Sequence, residues 1–131
     1  MAPVRVLLIE DEAAVRESLC DSLERAGYEV LPAQEGEEGL SLYFHQKPDI
    51  VITDILMPIK DGLEVIMELR RTVPNAKVIA MAAAPRQGSN LDLLNLAKKL
   101  GACGTVTKPV DPTELTKAIE ACLHTDVAAA R

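Results

Sequence analysis

The fold is decided by two apolar stretches that end in acids, VRVLLIED at residues 4–11 and DIVITD at residues 49–54. Short, nearly unbroken runs of β-branched and aliphatic residues are typical of strands that are covered on both faces, as in parallel sheets. Each stretch therefore predicts a buried strand that ends where the carboxylates begin.

Strand and helix patterns alternate along the rest of the chain. Further strands are predicted at residues 28–32, 77–81 and 104–107. Helical periodicity is found at residues 12–26, 40–44, 63–70, 93–100 and 112–122. Five strands alternating with five helices imply a doubly wound α/β fold, with a five-stranded parallel sheet, right-handed crossovers and helices on both faces.

Some details of the helices are also predicted. Phe44 belongs to the apolar stripe of the second helix, which Gly39 weakens through its low helix propensity. Met67 lies on the inward face of the third helix by periodicity, and Ser89 or Asn90 caps the fourth helix.

Composition indicates one globular domain, with 131 residues, 48% apolar and 26% charged. We expect a domain at residues 1–124 and a C-terminal tail, or the start of a linker, at residues 125–131. The net charge of -6 disfavours direct nucleic-acid binding. A signal-peptide layout and a membrane-length apolar run are missing from the sequence, so we expect no membrane insertion and a cytoplasmic location.

The cysteines and histidines carry no metal-site pattern. Cys20, Cys103 and Cys122 are widely spaced and odd in number, so we interpret them as small buried hydrophobic residues in a reducing compartment. His45 and His124 are isolated, and we expect both at the surface.

Charged residues follow three of the predicted strands: Glu10 and Asp11, then Asp54, and finally Lys108. Ligands of doubly wound folds bind outside the carboxyl ends of the strands. Three converging carboxylates repel one another unless a cation intervenes, and Mg²⁺ suits such oxygen ligands. With Lys108 as a counter-charge for a phosphoryl group, the pattern predicts a phosphoryl-transfer site. Taken singly, Glu10 and Asp11 are also explained as helix-cap or turn residues, and Lys108 as a solvated lysine. Asp54 is harder to explain in this way, because the residues after it offer no helix to cap before Asp61.

The sequence resembles the receiver domain of two-component response regulators over essentially its whole length. The matching motifs are Glu10-Asp11, Asp54, Met57-Pro58 with Asp61-Gly62, and Lys108-Pro109. The resemblance implies a flavodoxin-like strand order 2-1-3-4-5. It also implies a phosphoacceptor that catalyses its own modification, so we do not expect an enzyme acting on other substrates.

The resemblance assigns roles to individual residues. Asp54 would accept a phosphoryl group from a phosphohistidine on a sensor histidine kinase or a histidine phosphotransfer protein. Glu10, Asp11, Asp54 and the backbone carbonyl of Leu56 would form the Mg²⁺ site, with Asp11 bound directly and Glu10 through water. Lys108 would contact the phosphate.

Two positions depart from the family pattern. Receivers usually carry Ser or Thr where this chain has Ala82, and an aromatic residue where it has Thr105. We expect phosphorylation to survive and the switch to be biased or altered, or the domain to act as a phosphate carrier. Because the chain ends after the fifth helix, we expect output through a protein partner on the helix 4, strand 5, helix 5 face. That face carries Lys98, Lys99 and Lys117, which a merely solvated surface explains equally well.

Two other readings remain open. A pseudo-receiver would keep the fold as a protein-binding module and would not be phosphorylated in the cell. A phosphatase of the haloacid-dehalogenase type needs a second acid two residues after its nucleophile, where this chain has Leu56. Nucleotide-binding enzymes are disfavoured because GxGxxG and GxxxxGK do not occur in the sequence.

Overall fold

The structure is a computed structural model that describes residues 2–57, 60–85, 87 and 92–124. Within these residues, strands and helices alternate as the sequence predicts, with slightly shifted boundaries. The strands are β1 (Arg5–Ile9), β2 (Glu29–Ala33), β3 (Ile50–Asp54), β4 (Val78–Ala83) and β5 (Gly104–Lys108). The helices are α1 (Ala13–Arg25), α2 (Gly36–Gln46), α3 (Gly62–Thr72), α4 (Leu93–Leu100) and α5 (Pro112–Leu123).

The five strands form one parallel sheet in the order β2-β1-β3-β4-β5. This confirms the predicted flavodoxin-like doubly wound fold. The strand order reverses between β1 and β3, which are paired neighbours in the sheet. Their carboxyl ends therefore meet at the position where ligands bind in this class of fold.

Alternate strand residues bury against different helices. Leu7 and Ile9 belong to the core cluster on the side of α2, α3 and α4. Val6 and Leu8 belong to the cluster on the side of α1 and α5. Because side chains alternate along a strand, Glu10 follows Leu8 onto the α1 and α5 side.

Two predicted core side chains lie largely outside the core. Phe44 is 46% exposed and packs edge-on against Tyr43, the aromatic residue of α2 that contacts the core instead. Met67 is 54% exposed, because α3 begins with Gly62 buried against β3 and this sets the phase of the helix. The buried residues of α3 are Gly62, Val65, Ile66 and Leu69.

The cap of α4 differs from the prediction. Asp92 is the N-cap, and its carboxylate accepts a hydrogen bond of 3.1 Å from the backbone N–H of Asn95. The predicted caps, Ser89 and Asn90, lie outside the described residues, as does the predicted tail at residues 125–131.

The prediction of three separate cysteines is wrong. Cys103 and Cys122 form a disulfide, and Cys20 is free and half-buried. Cys103 directly precedes β5 and Cys122 lies in the last turn of α5, which packs back along β5. The return of α5 along β5 thus brings together two cysteines that are 19 residues apart in the sequence, a separation that belongs to no motif. His45 and His124 are exposed, as predicted.

Gly39 allows α2 to approach β1 closely. A Cβ atom at this position would overlap Cδ1 and Cγ1 of Ile9. The glycine is therefore required by packing, a reason that helix propensity alone does not reveal.

We predict that Gly39→Ala lowers the free energy of unfolding by about 1–3 kcal/mol, because overpacking outweighs the gain in helix propensity of about 1 kcal/mol. Urea denaturation measures the change. In the double variant Gly39→Ala/Ile9→Val, loss of the clashing Cδ1 should make the total cost smaller than the sum of the two single costs. A single variant more stable than the wild type would show that propensity dominates.

Candidate functional site

The ends of β1, β3 and β5 bring two acids and a lysine together. Glu10, Asp54 and Lys108 each follow a core residue of the α1 and α5 side by two positions. β4 lies between β3 and β5, and its Ala83 is the register partner of Lys108. The side chain of Lys108 therefore reaches across β4 to contact Asp54.

Lys108 forms two ion pairs at this edge. Its Nζ lies 2.8 Å from Oε1 of Glu10 and 2.9 Å from Oδ2 of Asp54. Glu10 is fully buried and Asp54 is 5% exposed. Burial lowers the pKa of the Lys108 ammonium, but hydrogen bonds to Glu10 and Asp54 outweigh it, so this pKa is raised above its usual value. Lys108 is therefore charged at neutral pH.

The carboxylate of Glu10 is held at both oxygens. Oε1 accepts from Lys108, and Oε2 accepts a hydrogen bond of 3.1 Å from the backbone N–H of Glu12. The guanidinium of Arg16 donates to the backbone carbonyl of Glu10 at 2.8 Å. Sequence reasoning missed Arg16, since a surface arginine in a helix belongs to no motif.

Asp11 completes an acidic cluster. Carboxylate oxygens of Glu10, Asp11 and Asp54 all lie within 4.8 Å of one another, and Asp11 is exposed. Lys108 pairs with only two of the three carboxylates, so negative charge is in excess. Clustered hard oxygen donors with one open side suit Mg²⁺. Leu56 is 64% exposed, and the role of its backbone carbonyl stays a prediction.

Asp61 and Gly62 hold the start of α3 against the end of β3. Asp61 forms a capping box with Glu64 at the start of α3. The backbone N–H of Gly62 donates to the carbonyl of Ile55 at 2.8 Å, and a Cβ at Gly62 would overlap the carbonyl oxygen of Asp54. The Asp61-Gly62 motif thus positions the backbone that carries Asp54.

The two atypical positions lie on β4 and β5. Ala82 is buried, and Thr105 is half-buried with Ala80 as its register partner. The register partner of Ala82 is Thr107, an exposed residue next to Lys108. Ala82 has no hydroxyl, but its register partner Thr107 on β5 carries one at the same level of the sheet. The switch roles of Ala82 and Thr105 stay predictions.

A family model described as the response regulator receiver domain matches residues 6–120. The chain is 37% identical over 116 residues to chemotaxis protein CheY of Thermotoga maritima, covering 88% of this chain and 93% of that protein. It is 38% identical over 122 residues to response regulator MprA of Mycobacterium sp. (strain KMS), covering 93% of this chain and 51% of MprA. The chain belongs to the receiver domain family of two-component response regulators.

Solved structures agree with this assignment. A putative response regulator from Chloroflexus aurantiacus superposes with a TM-score of 0.84 at 30% identity, covering 95% of this chain and all of that one. A receiver domain protein from Clostridium thermocellum gives a TM-score of 0.82 at 32% identity, covering 92% and 94%. The chain spans about half the length of several curated relatives that it matches, including MprA.

The family defines the general setting of the site. Receiver domains generally bind Mg²⁺ at an acidic pocket and interact with histidine kinases or phosphotransfer proteins. In the described part of this chain, no helix is long and apolar enough to cross a bilayer.

We predict that Lys108→Met destabilises the metal-free protein by about 2–3 kcal/mol, because it leaves two buried carboxylates without their cation. Because Lys108 is partly exposed, we expect this loss of stability to be smaller than the loss on breaking a fully buried ion pair. Urea unfolding at pH 7 measures the effect. The lysine contributes fully below the pKa of an unfolded lysine, about 10.4, and its contribution is lost as the pH rises through the higher folded value.

Glu10→Gln provides the partner for a double-mutant cycle. Because Lys108 pairs with Glu10, the cost of Lys108→Met should fall once Glu10 is neutral, so the double variant should lose less stability than the two single variants together. Strictly additive losses would contradict the pairing.

Proposed function

We propose that this chain is a phosphoacceptor, which takes a phosphoryl group onto Asp54 from a phosphohistidine of a sensor histidine kinase or a histidine phosphotransfer protein. The observation that carries the proposal is the contact between Lys108 and Asp54 inside a cluster of three carboxylates. Such a cluster is costly to assemble, and a divalent cation would offset its excess negative charge and, together with Lys108, that of an incoming phosphoryl group.

The reaction uses the carboxylate of Asp54 as the nucleophile. One of its oxygens attacks the phosphorus, the nitrogen–phosphorus bond of the donor breaks, and the leaving imidazole takes up a proton. Lys108 is already charged and within hydrogen-bonding distance of Asp54. Its ammonium can therefore donate to the oxygens of the transferred phosphoryl group without a change in protonation. Positioning and electrostatic stabilisation then account for most of the rate.

Asp11, Asp54 and the carbonyl of Leu56 would hold Mg²⁺ directly. Glu10 would act through water, since both of its carboxylate oxygens already accept hydrogen bonds from protein groups. When bound, Mg²⁺ supplies positive charge that neutralises the oxygens of the transferred group.

Output would pass through a protein partner on the face formed by α4, β5 and α5. Lys98, Lys99 and Lys117 are exposed on this face. With Ala82 and Thr105 at the switch positions, phosphorylation would produce an altered switch, or the domain would pass its phosphoryl group on. We propose no enzymatic activity on other substrates.

We predict Mg²⁺-dependent labelling by a small phosphodonor such as acetyl phosphate. Mass spectrometry should detect one added phosphoryl group on the wild type and none on Asp54→Asn. Asp49→Asn, a matched change of an exposed acid at the other end of β3, should label like the wild type. Equal labelling of the Asp54→Asn variant would refute Asp54 as the acceptor. An unlabelled wild type would favour the pseudo-receiver.

We also predict that Mg²⁺ stabilises the wild type against heat more than an equal ionic strength of NaCl, because a ligand that binds only the folded state raises its stability. Asp11→Asn should lose most of this increment and be more stable than the wild type without metal, since it removes one of three repelling carboxylates. Asp21→Asn, an exposed acid on α1, serves as the control. An unchanged Mg²⁺ response in Asp11→Asn would remove Asp11 from the metal site.

A further inference from the structure

We infer that Cys103 and Cys122 form a thiol oxidation site that takes small-molecule disulfides such as glutathione disulfide and reversibly ties α5 to the edge strand β5. The two Cα atoms are 5.7 Å apart, inside the range that disulfides require. The pair lies at the start of β5 and the end of α5, whereas Lys108 ends β5 at its other end. The inference does not depend on the proposed phosphoryl chemistry.

The surroundings accommodate the thiols as well as the disulfide. The backbone N–H of Cys103 donates to the carbonyl of Val78 at 2.8 Å, which fixes Cys103 beside β4. Its Sγ lies 3.4 Å from the same carbonyl, so a reduced Cys103 has an acceptor for its thiol. A Cβ at Gly104 would come within 3.2 Å of Sγ of Cys122, and the glycine therefore leaves room for the sulfur.

The exposure of the two cysteines indicates which thiol reacts first with an oxidant. Cys103 is half-buried, whereas Cys122 is 1% exposed, so Cys103 is the more exposed of the two. Cys103 would therefore react first and Cys122 would resolve the intermediate. Burial, and then the carboxylate of Glu24, raise the pKa of Cys20, which keeps this third thiol protonated and poorly reactive at neutral pH.

The chemistry is two successive thiol–disulfide exchanges. The thiolate of Cys103 attacks one sulfur of glutathione disulfide, a mixed disulfide forms, and one glutathione leaves. The thiolate of Cys122 then attacks Sγ of Cys103, and the second glutathione leaves. The protein gives up two protons and two electrons, and glutathione disulfide is reduced to two thiols that carry them.

The test incubates the full chain with reduced or oxidised glutathione, alkylates the remaining thiols and determines the mass. The oxidised wild type should carry one alkyl group, on Cys20, and the reduced wild type should carry three. Dithiothreitol should reverse the change. Formation of the Cys103–Cys122 disulfide should raise the Tm by roughly 5–10 °C. Phosphodonor labelling at Asp54 should be the same in the oxidised and reduced forms.

Three variants separate the steps. Cys122→Ala should accumulate glutathione on Cys103, because the resolving thiol is missing. Cys103→Ser should take up no glutathione at Cys122, and its Tm should not respond to oxidant. Cys20→Ser should behave like the wild type, without the residual alkylation.

The wild type alone can overturn the inference. Three alkylated thiols after oxidised glutathione, or a mixed disulfide on Cys103 that persists, would show that the two cysteines do not form a working pair. An equal Tm in both forms would show that the bond does not secure α5.

Discussion

The pairing of Lys108 with buried Glu10 and Asp54 is the interaction on which the site depends. Removing two carboxylates from water is unfavourable, and one shared cation offsets this only in part. Asp11 adds a third negative charge at the open side of the cluster. The resting protein is therefore built with an excess of negative charge at one place. This excess favours a divalent cation there, and the cation together with Lys108 can accommodate the negative charge of a phosphoryl group.

The sheet delivers this arrangement through simple geometry. A two-residue period carries Glu10, Asp54 and Lys108 to the face covered by α1 and α5, and the strand order puts β1 beside β3. Small residues then allow the close contacts: Gly39 lets α2 approach Ile9, and Gly62 starts α3 against the backbone of Asp54. Core packing and site geometry thus share the same strands.

Sequence patterns were sufficient for the strands and for placing the acids at their carboxyl ends, because buried parallel strands follow local rules. The order of the strands in the sheet came from the resemblance to receiver domains, since no local pattern determines it. They failed where a tertiary contact decides. Gly39 looked like a weak point of α2 until its distance from Ile9 was known, and the exposure of Met67 depends on how Gly62 docks. The Cys103–Cys122 bond and the contact from Arg16 to Glu10 join residues without any motif spacing.

The most direct measurement is the ¹⁵N NMR signal of the Lys108 ammonium during addition of Mg²⁺ and a phosphodonor. If Lys108 transfers its contact from the carboxylate of Asp54 to an arriving phosphoryl group, its signal should move with the extent of labelling. The signal of Lys47, an exposed lysine at the C-terminal end of α2, should stay in place. A labelled protein whose Lys108 signal does not move would contradict the account.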